Sequence, residues 1–198
     1  TWADDIADLI PKLSDGPVYL VGHSLGGWVT AAVAAEHPEL VSKAVLVEPY
    51  SGANSEVRRQ ARQRPPEQRG LRAQQIRDAA TPNDLLPAVA EQYDGASEDS
   101  IRRIAQMWFQ MDPALEEGPI SRAEDTETFD DMFFSIQCPT LMINGSVDKG
   151  GILSDEESER VIGLIPNSRL LTWPKVGHSP HIARNHDFIR ATKRFWAE

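Results

Sequence analysis

The chain has 198 residues, 40% hydrophobic and 25% charged, which suits one folded domain with a sizeable core and argues against intrinsic disorder. Its formal net charge of −10 repels phosphate backbones, so nucleic acid is not an expected partner. No apolar run approaches the roughly 20 residues of a membrane-spanning helix, and the lone Cys138 allows no internal disulfide, so no membrane partner and a cytoplasmic location are expected.

Thr1 can cap a helix with Asp4 and Asp5 in its first turn, and Ile6, Leu9, Ile10 and Leu13 recur at i, i+3, i+4 and i+7, which is one helical stripe. Pro11 is expected to bend or shorten that helix. Asp15-Gly16-Pro17 is turn chemistry, and residues 18–21 follow as a short apolar run read as a buried strand. Residues 25–37 are alanine-rich and helical, ended by Pro38. Residues 41–47 hold a second buried strand, closing at Glu48-Pro49. Alternating apolar strands and helices imply an α/β fold with a mostly parallel sheet and right-handed crossovers.

Residues 51–134 break that rhythm: they are polar, rich in arginine and proline, and read as several helices without a clear strand. Arg58 to Arg72 holds six arginines, read as a solvated helical face rather than an anion site. Residues 97–110 are the best helix of the stretch, with Ile101, Ile104, Ala105 and Trp108 on one face. Cys138, just before Pro139 and an apolar run, reads as buried packing rather than a nucleophile. The strand rhythm returns at 140–144, followed by a helix at 155–165, a strand at 169–173 and a last helix at 186–196. The expected organisation is therefore a discontinuous core, 1–50 and 135–198, with 51–134 inserted as a helical cap over the strand ends, where ligands bind in open α/β sheets.

The strongest chemical signal is Gly22-His23-Ser24-Leu25-Gly26-Gly27, which matches G-x-S-x-G between a strand and a helix. Such a turn holds its serine in a strained conformation, clear of the sheet and at a helix N-terminus. Side chains at 22 or 26 are expected to collide with neighbouring backbone, and the N–H of Leu25 is the expected oxyanion donor. An idle serine in a glycine-rich turn is the plain alternative.

These residues, with Asn144-Gly145-Ser146-Val147-Asp148 and Gly177-His178, resemble the α/β-hydrolase superfamily in its branch with a helical cap. The likeness covers almost the whole chain, although the cap matches only in position and character. It implies Ser24 as nucleophile, His178 as base and Asp148 as the orienting acid, in the family's chain order. Glu48, at the end of an earlier strand, is the rival acid, and His181 is the nearest rival base; His23 reads as packing beside the site. Trp108, Met111 and Phe133, with Met107 and Phe134, are candidates for an apolar substrate wall, with packing within the cap as the alternative for each. No histidine or cysteine pattern suits a metal, and no dinucleotide fingerprint is present, so no cofactor is expected.

The resemblance implies hydrolysis of a small carboxylic ester, thioester or lactone through an acyl-enzyme. Carbon–carbon bond hydrolysis, acyl transfer and cofactor-free perhydrolysis share the same triad, and a non-catalytic ligand-binding fragment is a further reading. The family also carries about four strands and a helix ahead of the helix that opens this chain, roughly 50–80 residues by ordinary element lengths. The chain is thus expected to be a fragment. The second oxyanion donor, worth about 3–4 kcal/mol, would lie in that missing part, and residues 18–21 would form an open sheet edge.

Overall fold

The computed structural model describes residues 1–52, 70–116 and 129–198. Helix α1, Trp2–Leu13, starts on a capping box: the Thr1 hydroxyl accepts from the Asp4 N–H, and the Asp4 carboxylate reaches back to residue 1. Pro11 does not shorten it. It stands in the last turn, where it forfeits one hydrogen bond, and the Ser14 N–H still closes on the Ile10 carbonyl at 3.0 Å. The buried line is Ala3, Ala7 and Ile10, with Ile6 packed alongside, while Leu9 and Leu13 are exposed. The stripe read from the sequence is therefore rotated: the small alanines let α1 lie close against the next helix, and the outer leucines fall off that contact.

Strands β1 (Val18–His23), β2 (Val41–Val47), β3 (Thr140–Asn144) and β4 (Ser168–Thr172) form one parallel sheet in that order. Helix α2, Leu25–Glu36, and a 3₁₀ turn, Pro38–Leu40, connect the first two strands. The register pairs His23 with Val47, Val47 with Ile143 and Asn144 with Thr172. All four strands thus end side by side, and the segments leaving them converge at one rim of the sheet.

Period-2 alternation divides the core between the two faces. Ala44, Leu46 and Met142 face a cluster built with Ala31 to Ala34, Phe133, Ile136 and Val161. Val45, Val47, Leu141 and Ile143 face Trp173, Val176 and Phe195 on the other side. The central strands β2 and β3 are covered on both faces, as their apolar runs require. β1 is different. It ends the sheet and exposes Tyr19 and Val21, so the buried strand expected at 18–21 is an edge strand with one open face.

Between β2 and β3 the described residues are helical: α3 (Leu71–Asp78), α4 (Leu86–Gln92), α5 (Glu98–Gln110) and α6 (Asp130–Ser135), with 3₁₀ turns at Pro82–Leu85 and Pro113–Glu116. Ile76, Leu85, Val89, Ile104, Ala105 and Trp108 form a cluster of their own among them. Arg58 to Arg69 lie outside the described residues; Arg72, at the end of that run, lays its guanidinium over the Trp108 ring at 4.6 Å. After β3 come α7 (Asp155–Leu164), β4, a short α8 (Pro180–Ala183) ahead of the expected last helix, and α9 (Asn185–Ala197).

Candidate active site

Ser24 sits between β1 and α2 with φ 56° and ψ −120°, a left-handed conformation that costs a non-glycine residue about 1–3 kcal/mol. Its backbone is held from both sides: its N–H donates to the Val47 carbonyl at 2.9 Å, and its carbonyl accepts from Gly27, Trp28 and Tyr50. A Cβ on Gly22 would lie 2.0 Å from the Gly26 carbonyl oxygen, and one on Gly27 would lie 2.9 Å from the Pro49 Cα. Nothing lies within 4 Å of a Cβ on Gly26. The steric need for glycine is thus at 22 and 27, and the collision expected at 26 does not occur. Position 26 supplies the backbone that position 22 must avoid.

The Ser24 Oγ lies 2.9 Å from Nε2 of His178. His178 is on the loop that leaves β4, and backbone packing against the loop after β3 sets that loop in place. A Cβ on Gly177 would fall 2.0 Å from the Lys149 carbonyl, one on Gly145 would fall 2.3 Å from the Gly177 carbonyl, and the Ser146 N–H donates to the Val176 carbonyl at 2.7 Å.

The carboxylate behind the imidazole is Glu48. Its Oε2 lies 3.3 Å from His178 Nδ1. Glu48 is fully buried, has φ 46°, and accepts backbone N–H groups from Gly145 at 2.5 Å and Ile152 at 2.6 Å. A buried carboxylate needs such donors, and together they fix its orientation. Asp148, the acid expected from the G-x-x-D spacing, stands instead on an exposed 3₁₀ turn, Val147–Lys149, where its carboxylate accepts from the Ser146 hydroxyl. The reason is the sheet order. β2 lies between β1 and β3, so its C-terminal end carries Glu48 in between the serine turn and the glycine loop.

Nδ1–H donating to Glu48 leaves the Nε2 lone pair facing the Ser24 hydroxyl, the arrangement a general base requires. Leu25 opens α2, so its N–H meets no carbonyl of its own helix and is available to an anion. Two further histidines flank the site. The His23 ring lies 4.6 Å from that of His178 and 4.4 Å from that of His181. Burial, then the neighbouring His178, holds His23 below the usual histidine range. Burial, then His23 and His178, pushes His181 down to about 4, which suits it poorly to serve as a base near neutral pH. Neither ring sits at a spacing that marks a function in the sequence.

The expected substrate wall is divided by the fold. Phe133 is fully buried in the core beneath the sheet, against residues of α2, β2 and β3, so it is a packing residue rather than a pocket wall. Trp108 is buried in the cluster between β2 and β3, and Met111 packs against that cluster. Met107 and Phe134 are exposed. Ile182, next to His181, also packs on that cluster and joins it to the loop bearing His178.

The profile of the alpha/beta hydrolase family matches residues 1–191. A Haemophilus influenzae protein, provisionally named an esterase/lipase, is 27% identical over 212 residues, covering 98% of this chain and 65% of that protein. A pimeloyl-[acyl-carrier protein] methyl ester esterase of Chromobacterium violaceum is 25% identical over 213 residues, covering 96% of this chain and 74% of that protein. Among solved structures, an E-2-(acetamidomethylene)succinate hydrolase superposes with a TM-score of 0.70 at 19% identity, covering 99% of this chain and 72% of its own. The chain thus spans about two thirds to three quarters of the length of these proteins.

Proposed function

Because the chain belongs to the alpha/beta hydrolase family, we propose that it carries the catalytic centre of a serine hydrolase that cleaves a small carboxylic ester, thioester or lactone. One observation carries the reading: a serine hydroxyl 2.9 Å from an imidazole Nε2, on a turn that holds the serine at φ 56°. A strained nucleophile against a base, at a helix N-terminus, is what acyl transfer requires. The esterase names of two relatives support the substrate class.

In this mechanism Nε2 of His178 takes the Ser24 proton as Oγ attacks the carbonyl carbon, and Glu48 holds Nδ1–H and stabilises the imidazolium that forms. The tetrahedral oxyanion takes the Leu25 N–H. Collapse expels the alcohol, thiol or ring alkoxide with the proton from His178, leaving an acyl ester on Oγ. Water, deprotonated by the same nitrogen, then releases the acid and restores the serine. The helices between β2 and β3 act as a cap, joined to the loop bearing His178 through Ile182, which packs on their cluster.

A fluorophosphonate probe tests the nucleophile. Labelling of the protein that disappears in Ser24→Ala and His178→Ala is the expected result, and labelling that persists in Ser24→Ala removes Ser24 from the mechanism. A panel of esters, thioesters and lactones then separates the substrate classes by kcat/KM.

A further inference from the structure

The residue before the nucleophile does more than fill space. His23 ends β1, and its Nε2 lies 2.6 Å from the backbone carbonyl oxygen of His178, 155 positions away in the chain. Among the described residues no backbone N–H donates to that carbonyl. We propose that His23 is a positioning residue: its Nε2–H braces the backbone of His178, so that the turn bearing Ser24 and the loop bearing its base move as one unit. The proposal rests on the reading of Ser24 and His178 as nucleophile and base.

Three features of the geometry support the brace. Ser24 follows His23 directly, so a bond from residue 23 to residue 178 fixes the two reacting side chains against each other at one point. The carbonyl can only accept, so Nε2 of His23 must carry the hydrogen, and that nitrogen is then occupied and cannot take the serine proton. The His23 ring also lies against two other rings, 4.6 Å from His178 and 4.4 Å from His181, with Phe188 beyond His181 at 6.0 Å. These tilted rings limit how far the His23 ring can turn, so its N–H keeps its aim. Reaction geometry is sensitive on this scale, since a misplacement of about 1 Å costs on the order of 100-fold in rate.

The ring and the N–H are separable by substitution. His23→Phe keeps a flat ring among these neighbours and removes the donor. His23→Gln places an amide N–H near the position of Nε2 and removes the ring. For the whole protein, with circular dichroism and melting as the control for folding, His23→Phe is expected to lower kcat on an ester substrate, and the rate of fluorophosphonate labelling, by roughly 10- to 100-fold. KM should stay within about twofold, and His23→Gln should return kcat to within about fivefold of the unchanged protein. A merely structural ring would give the opposite order, with Phe tolerated and Gln slow. That order, or a Phe variant at full rate, overturns the proposal while labelling of Ser24 stands. Absence of labelling in the unchanged protein overturns both this proposal and the reading beneath it. Should His23→Phe fail to fold, imidazole nitrogen NMR of the unchanged protein decides: Nε2 of His23 must carry the proton near neutral pH, and the Nδ1–H tautomer overturns the brace.

Discussion

At the scale of single residues, the choice of carboxylate separates a spacing argument from a packing argument. Asp148 has the family spacing but is exposed; Glu48 has the imidazole and two backbone donors. Glu48→Gln is expected to lower kcat by about 10²–10⁴-fold, since it disturbs the tautomer that presents Nε2 to the serine. Asp148→Asn should stay within a few-fold of the unchanged protein, and steady-state kinetics on one ester checks both. His181 supplies a pH test. Its folded-state pKa, about 4, lies below the ordinary 6.5, so the unfolded chain binds the proton first as pH falls. The associated stability is whole above pH 6.5 and is lost progressively down to about pH 4, by as much as ~3 kcal/mol. His181→Gln should flatten that acid loss, read from urea unfolding at pH 7 and pH 4.

At the scale of elements, the turn after β1 depends on two glycines for different reasons than their motif suggests. Gly22→Ala would place a Cβ 2.0 Å from backbone oxygen that cannot move without dismantling α2. A loss of about 3 kcal/mol or more is expected, together with loss of Ser24 labelling. Gly26→Ala lies in the first turn of α2 with open space around its Cβ, so it should be neutral or stabilising by a few tenths of a kcal/mol. Thermal melts of the two variants check the contrast. The motif letters alone weight the two positions equally; only the approach of β1 to α2 tells them apart.

At the scale of the whole molecule, Ser51, just after β2, and Asp130, at the start of α6, are tied to one helix, α7. Arg160 on α7 donates to Asp130 at the start of α6 and to Glu157 on its own helix, and Glu157 accepts from the Ser51 hydroxyl. Arg160→Met should cost about 1–2 kcal/mol by urea unfolding, because solvent partly screens Arg160 and Asp130. The open side of β1 has the opposite character. It exposes Val21 in an edge strand, which invites pairing with another chain. The protein is therefore expected to self-associate through this edge, and Val21→Lys should shift it toward monomer in sedimentation velocity.

The alternation of apolar runs and helices determined the parallel strands and the helical stretch between them, because a strand covered on both faces must be apolar throughout and a crossover helix must return the chain. The glycine-flanked serine and the Gly-His pair were legible because their residue types stand together in the sequence, although the clash that demands glycine at 177 comes from Lys149 on another loop. What the tertiary structure decided was every choice that depends on neighbours distant in the chain. It set Glu48 rather than Asp148 behind the imidazole, sent Phe133 into the core, rotated the buried stripe of α1, and brought His23 to the backbone of His178. Strand order and loop packing fix those contacts, and no spacing within a single element encodes them.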